Sequence, residues 1–317
     1  MMASELPPPG AVLRRDFRCG PTQVPARLDG AIKLLQWNIE RGYQLAGIIE
    51  ELRSIDADII SLQEVDVGCE RSGGADTGVA IAQALGLNYA FLCEFEEEYS
   101  PLRDARSQGG GVHGNTILSK FDFLESAVVP HRSHPVDWNN PTHALARREP
   151  RRGERAVLRA VVDAPQGPLV VYSAHLEVFC GLLARITQLA DIFADARLQA
   201  DRGLHRQAIL GDMNTMAHGI ARLSPNYCCD HMRLRSIGMD EAAVWHRHVL
   251  PVLDLHPFPP TTTTLDNPAY RWFGLSLMKG KLDWVLLRRL RAVTTQVGNH
   301  SYALSDHKWL AAEVVPE

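Results

Sequence analysis

The chain has 317 residues, 45% of them hydrophobic and 22% charged, with a formal net charge of −4. This is the make-up of a folded globular protein; it excludes disorder over most of the chain and lacks the basic excess usual for tight nucleic-acid binders. The longest uncharged apolar stretches, such as residues 169–174, are far shorter than the roughly 20 residues that cross a bilayer. The first ten residues lack the apolar run of a secretory signal, so the reading places the chain inside the cell, in cytoplasm or nucleus. Six cysteines (Cys19, Cys69, Cys93, Cys180, Cys228, Cys229) follow no CxxC spacing, which points to free thiols and away from a disulfide framework or zinc cluster.

In chain order, residues 1–30 carry Pro7, Pro8, Pro9, Pro21 and Pro25 with no apolar period and read as a flexible arm ahead of a single domain over 31–317. From residue 31 a short apolar run (31–39) precedes a helical period at Leu45, Ile48, Ile49 and Leu52, and a β-rich run follows over 57–65. The same β, α, β order recurs at 169–176, at the helical positions Leu182, Leu183, Ile186, Leu189 and Ile192, and at AILGDMN. Further strand-like runs are GNTILSK, AVLRAVVDA, KLDWVLLRRL and LAAEVV, so the chain is α/β with many strands. Residues 131–155 read as a long exposed loop with five arginines over 147–155, and a second loop region spans about 224–275.

Acids, amides and histidines fall repeatedly at the ends of these apolar runs. Asn38 and Glu40 close LLQWNIE, Glu64 and Asp66 close IISLQEVD, and His175 and Glu177 close VVYSAHLE. Asp212 and Asn214 close AILGDMN, Asp283 lies in KLDWVLL, and Asp306 and His307 close ALSDH. Alone, each has an ordinary explanation: Gly211-Asp212 as a turn, Glu64 as an edge charge, His175 as a structural histidine. Six such places together are hard to ascribe to turns, because strand ends meet along one edge of a sheet, where α/β proteins build their sites. Carboxylates and amides without a Cys/His cluster suit a hard cation such as Mg²⁺ or Mn²⁺, whose shell is commonly completed by phosphate oxygens. Phosphate ester cleavage follows as the leading function.

The ordered set WNIE, LQEVD, GNTILSK, SAHLE, GDMN, LDWVLL and SDH resembles the endonuclease/exonuclease/phosphatase superfamily, over about residues 31–315. The resemblance implies a four-layer α/β sandwich, two mixed β-sheets packed face to face with helices outside. It implies that Glu64 is the principal metal-binding carboxylate, that Asn38 helps hold metal and phosphate, and that Asp306 lies beside the metal. Asp212 would orient or deprotonate the attacking water and Asn214 would hold a phosphate oxygen. His307, oriented by Asp283, would contact the scissile phosphate and stabilise charge; His175 would also contact phosphate, and Asn115 would be an auxiliary polar position.

The activity expected is divalent-metal-dependent hydrolysis of a phosphate ester, by a phosphodiesterase or nuclease. The alternatives are a phosphomonoesterase acting on a nucleotide, inositol phosphate or lipid headgroup, and a phosphate-binding scaffold without chemistry. Two segments bear on the partner. Residues 94–110 are acidic where a DNA-cutting enzyme would want a basic groove, whereas Arg147, Arg148, Arg151, Arg152 and Arg155 are either a phosphate-tracking loop or a solvated charge run. Trp138, Trp272 and Phe273 would stack on a base or a lipid, or pin the loops to the core.

Overall fold

The computed structural model describes residues 6–19, 30–215, 240–250, 258–259, 261–266, 271–276 and 279–317. The strands are β1 (Val12–Asp16), β2 (Ile32–Asn38), β3 (Ile59–Val67), β4 (Asn88–Glu97), β5 (Gly111–Ser119), β6 (Phe123–Pro130), β7 (Arg151–Gly153) and β8 (Ala156–Ala164), followed by β9 (Gly167–His175), β10 (Gln207–Asp212), β11 (Arg271–Trp272), β12 (Leu275–Ser276), β13 (Asp283–Arg288), β14 (Leu290–Gly298) and β15 (Trp309–Pro316). The helices are α1 (Leu45–Ile55), α2 (Thr77–Leu85), α3 (Ala144–Arg148), α4 (Leu182–Asp201) and α5 (Glu241–Val244). An eight-stranded sheet runs β1-β4-β5-β3-β2-β15-β14, with β7 also paired to β4, and a five-stranded sheet runs β13-β10-β9-β8-β6. Both are mixed: β2 with β3 and β9 with β10 are parallel, the other pairs antiparallel.

Strand alternation sorts the apolar residues into three layers of core. Between the sheets, Leu34, Ile59 and Leu92 of the larger sheet pack with Leu158, Val171, Leu210 and Val285 of the smaller. The opposite parity of the larger sheet (Leu35, Trp37, Ile60, Leu62) is covered by Ile48, Leu52 and Ile55 of α1 and Ile81 of α2. On the smaller sheet, Val170, Tyr172, Ile209 and Trp284 are covered by Leu182, Leu189, Ile192 and Ala196 of α4. The helical period read from α4 is therefore its buried stripe, except that Leu183 is exposed. Helix, sheet, sheet, helix is the four-layer sandwich expected.

Two expectations change. The arm is partly built into the fold, because Val12–Asp16 pair antiparallel with Asn88–Leu92 of β4, and Val12, Leu13 and Phe17 pack on the cores; residues 1–5 and 20–29 lie outside those described. Proline density marked the segment as irregular and hid a five-residue edge strand, the one sheet position that tolerates neighbouring prolines. Residues 131–155 are not an exposed loop throughout. They include α3 and β7, and Val136, Trp138 and Ala146 form a small core with Phe95. Most of the second loop region, with Cys228 and Cys229, lies outside the described residues; Cys69, Cys93, Cys180 and Cys19 are free thiols, and of these only Cys19 is exposed.

Gly211 lies inside β10, not in a turn, and a Cβ there would fall 2.1 Å from the Ala174 carbonyl oxygen of β9. Only glycine lets the two parallel strands approach so closely beside Asp212. Gly211→Ala is expected to cost about 1–3 kcal/mol by overpacking, read from denaturant unfolding, and to lower catalytic turnover because the next residue moves with the strand. An unchanged unfolding midpoint would show that the strands absorb the methyl group.

Candidate active site

The site lies where the inter-sheet face turns polar. Along β2 that face reads Leu34, Gln36, Asn38; along β9, Leu169, Val171, Ser173, His175; and along β10, Ala208, Leu210, Asp212. The same change occurs on β3, where Ile59 is followed on that face by Ser61 and Gln63. Ser61 donates to Ser173 across the sheets at 2.8 Å, and Gln63 Nε2 donates to Ser61 at 2.8 Å and to Ser173 at 3.2 Å. These bonds make a connected polar floor between the apolar core and the pocket, in which Gln63 Oε1 alone of the three side chains' atoms lacks a partner.

On that floor the smaller sheet sets three residues side by side: His175 is in register with Asp212, and Asp212 with Asp283. The larger sheet supplies His307, from the turn that enters β15. That turn is pinned by Ser305, whose hydroxyl donates to the Asn38 carbonyl (2.6 Å), and by Trp37 Nε1 and Asn299 Nδ2, both donating to the His307 carbonyl (3.1 and 2.7 Å). His307 Nδ1 lies 2.8 Å from Asp283 Oδ2, and Gln36 donates to the other Asp283 oxygen at 2.5 Å. With Nδ1–H given to Asp283, Nε2 is left towards Asp212 Oδ2, 3.7 Å away, while His175 Nε2 lies 3.6 Å from the same oxygen.

The electrostatics are those of charged groups sharing a largely buried cavity. Burial works against the His307 cation, but Asp283, Asp212 and the Asp283 hydrogen bond outweigh it and raise its pKa well above the usual histidine range. Burial, with Asp283 adding to it, pushes Asp212 up to about 7, even though His307 pulls the other way. Burial also lifts Asp306 to about 6, with the carboxylates of Glu64 and Glu40 contributing. Glu64 differs: burial opposes its anion, yet Arg41, His113 and the Asn38 amide hold it below the ordinary glutamate value. Burial drives His175 far below the usual histidine range, so its ring is neutral, and its Nδ1 is buried without a hydrogen-bond partner.

Glu64 reaches the pocket by a bulge. The pairing of β3 with β5 slips between Leu62 and Val65, and Glu64 takes φ 58°, a left-handed value that non-glycine residues rarely adopt. Asn214 is also left-handed (φ 49°); its backbone N–H donates to Asp212 Oδ1 and its Nδ2 to the Leu176 carbonyl, each at 2.8 Å. Backbone strain of this kind gathers where side chains must be aimed.

Of the residues named from sequence, Glu64, His175, Asp212, Asn214, Asp306 and His307 line one cavity of about 180 Å³. Asn38 and Asp283 stand directly behind it. Asn38 Oδ1 accepts from Glu40 N–H (3.1 Å), which leaves the oxygen a second lone pair, while Nδ2 of Asn38 donates to Glu64 (3.2 Å) and Asp212 (3.0 Å). Its amide orients the two carboxylates. Asn115 does not line the cavity; it is buried within β5, and neither amide atom has a hydrogen-bond partner. Glu64 and Asp306 are a hard-oxygen pair whose mutual repulsion a cation would relieve, which fits Mg²⁺ or Mn²⁺. Asp212, Asp283 and His307 also bring ligand atoms within 4.8 Å of one another. There, however, His307 Nδ1 is already committed to Asp283, so the trio acts first as a carboxylate–imidazole unit.

Sequence reasoning missed Arg41 and His113, which line the cavity together with Arg151 and Arg155 of the arginine run. The arginine run is divided: Arg147, Arg148 and Arg152 are exposed, and the other two are not. Arg151 and Arg155 are buried, Arg155 donates to buried Glu94 at 2.9 Å, Arg151 pairs with Glu149 and lies 3.7 Å from Glu97, and Arg152 pairs with Glu96 and Glu98. The acidic 94–110 segment and the arginine segment are thus each other's counter-ions. Trp138 is buried and donates to Glu177 at 2.9 Å, so it pins the loop, whereas Phe273 is 88% exposed; the Trp272 side chain lies outside what is described.

A sandwich of two mixed sheets with this constellation at one edge defines a class, and residues 35–307 match the Endonuclease/Exonuclease/phosphatase family. The chain belongs to that family. Among solved structures it is similar to the human Nocturnin catalytic domain with bound sulfate anion (17% identity, 96% of this chain and 97% of that one, TM-score 0.56) and to truncated Caenorhabditis elegans TDP2 (14%, 90% and 97%, 0.52). It is also similar to an endonuclease/exonuclease/phosphatase from Beutenbergia cavernae (17%, 90% and 72%, 0.56). At these identities the likeness is one of fold. No curated protein matches the chain.

Asp283 and His307 should behave as one unit. Asp283→Asn and His307→Gln are each expected to lower kcat by orders of magnitude, and the double variant should be scarcely worse than the poorer single one. Additive losses, measured on proteins whose thermal unfolding is unchanged, would show that they act independently.

Proposed function

We propose that this protein is a divalent-metal-dependent hydrolase of phosphate esters. The observation that carries the reading is the row His175, Asp212, Asp283 in register on one sheet, closed by His307 from the other, beside the carboxylates of Glu64 and Asp306. Glu64 and Asp306 would hold Mg²⁺ or Mn²⁺, which when bound neutralises phosphate oxygens and the charge that develops on them. Asp212, its carboxyl poised near neutrality and its other oxygen fixed by Asn214 N–H, orients the attacking water and accepts its proton. His307, kept cationic by Asp283, donates from Nε2 to the oxyanion of the transition state. Neutral His175 and the amide of Asn214 complete the cradle for the phosphate oxygens, and Asn38 keeps Glu64 and Asp212 in fixed relation.

The same geometry favours a compact ester over a polynucleotide. Of the five arginines expected to follow a polyanion, Arg151 and Arg155 are turned inward and paired with Glu94, Glu97 and Glu149, and exposed Arg152 is paired with Glu96 and Glu98, which leaves Arg147 and Arg148 as the exposed remainder. No helix among the described residues is long and apolar enough to cross a membrane. Hydrolysis of bis(p-nitrophenyl) phosphate, titrated with Mg²⁺ and Mn²⁺, tests the reading. Glu64→Gln keeps the shape and removes the charge, so kcat is expected to fall by about 10²-fold or more, an amount typical for loss of one transition-state interaction, and the metal titration should shift to higher concentration. Hydrolysis by the native chain that survives chelation, or an unchanged titration in Glu64→Gln, would overturn the assignment.

A further inference from the structure

One wall of the cavity is not used by this chemistry. It carries His113 from β5, Arg151 from the start of β7 and Arg155 from the link between β7 and β8. His113 Nδ1 lies 2.7 Å from Asp66 Oδ1, and Arg71 fixes Asp66 with two bonds of 2.8 Å while its Nη1 lies 3.2 Å from Glu97. The pocket thus holds a second aspartate–histidine pair. Because Nδ1–H is committed to Asp66, Nε2 is the nitrogen that His113 has available for a ligand.

The two arginines are as firmly held. Arg151 stacks 4.1 Å from the Trp138 ring centre and 5.0 Å from that of Phe95, and Arg155 lies 5.1 Å from the Phe95 ring. They are only 8% and 6% exposed. A guanidinium has five N–H donors, yet each gives one hydrogen bond to a carboxylate, Arg151 to Glu149 and Arg155 to Glu94, and the buried Nε–H of each has no acceptor. An unmet buried donor costs about 1–3 kcal/mol, so two of them on arginines that line one cavity point to an acceptor there. Glu97 and Glu149, which line the same cavity, and Glu94 behind them offset the positive charge, so the wall has directed donors and little diffuse field. That suits a small oxyanion seated in the cavity and does not suit a strand lying across it.

We propose that His113, Arg151 and Arg155 form a second anion subsite, which takes a phosphate or carboxylate that the substrate carries besides its scissile phosphate. The preferred substrates are then small esters with two anionic groups. The substrate claim rests on the hydrolase reading, whereas the subsite is read independently by binding. In the full chain freed of metal with EDTA, titration calorimetry with inorganic phosphate at constant ionic strength should show saturable binding that survives His307→Gln and weakens at least 10-fold in Arg155→Met and in His113→Gln. Since Arg155→Met leaves Glu94 alone in the interior, the double variant Glu94→Gln with Arg155→Met is measured beside it.

The kinetic arm compares 2-phosphoethyl, 2-carboxyethyl and 2-hydroxyethyl p-nitrophenyl phosphate. The native chain should prefer one of the first two over the third by at least 10-fold in kcat/KM, carried by KM, and that ratio should collapse towards one in the subsite variants. The better of the two identifies the group recognised. Equal losses on all three esters, or phosphate binding abolished by His307→Gln and untouched by Arg155→Met, would overturn the subsite. Phosphate binding that depends on Arg155, with no ester hydrolysed by the native chain, would uphold the subsite and reject the hydrolase reading.

Discussion

The structure depends on the face-to-face packing of the two sheets along a surface that is apolar for most of its length and polar at one end. Because side chains alternate, a one-residue slip in β2 or β10 would exchange Asn38 for Trp37 or Asp212 for Gly211 on that surface. The apolar part (Leu34, Leu92, Leu158, Leu210, Val285) fixes the register, and the same register delivers Asn38, Asp212 and Asp283 to the pocket. Core and site are one constraint read at two depths.

Neither sheet holds the chemistry alone. Asp283 belongs to the smaller sheet and His307 to the turn entering β15 of the larger, and Gln36 from the larger sheet caps the remaining Asp283 oxygen. A buried carboxylate is costly unless its charge is matched and its lone pairs are satisfied, so separating the sheets would strand Asp283. The Ser61, Gln63 and Ser173 bonds serve the same end one layer deeper, where they exchange polar groups across the interface.

A second set of matched charges closes the pocket on the other side. Glu94 and Glu97 on β4 would be intolerable in the interior without Arg155, Arg151, Arg71 and Arg103, and the arginines would have no reason to leave water without the glutamates. Trp138 and Phe95 fill the space between them and take the guanidinium faces. What looks in linear form like an acidic stretch and a basic stretch is a single folded wall.

The sequence by itself marked an α/β chain of many strands and the polar run ends that meet at the pocket, and the four-layer arrangement was what the family resemblance implied. Alternation and helical period mark β8 at Ala156–Ala164 and α1 at Leu45–Ile55 to the residue, because local burial pattern is written in neighbouring positions. Polar residues ending those runs picked out Glu64, Asp212 and His307 for the same reason. Only the tertiary structure decided what depends on partners distant in the chain. It turned Arg151 and Arg155 inward, towards Glu97 and Glu94, which lie more than fifty residues earlier, and it set Asp66 behind His113, 47 residues away. It also left Asn115 behind the pocket and tied the Asn38 oxygen to Glu40, since whether an amide faces a cavity or a neighbour is fixed by the bulge and turn around it, not by the motif that contains it.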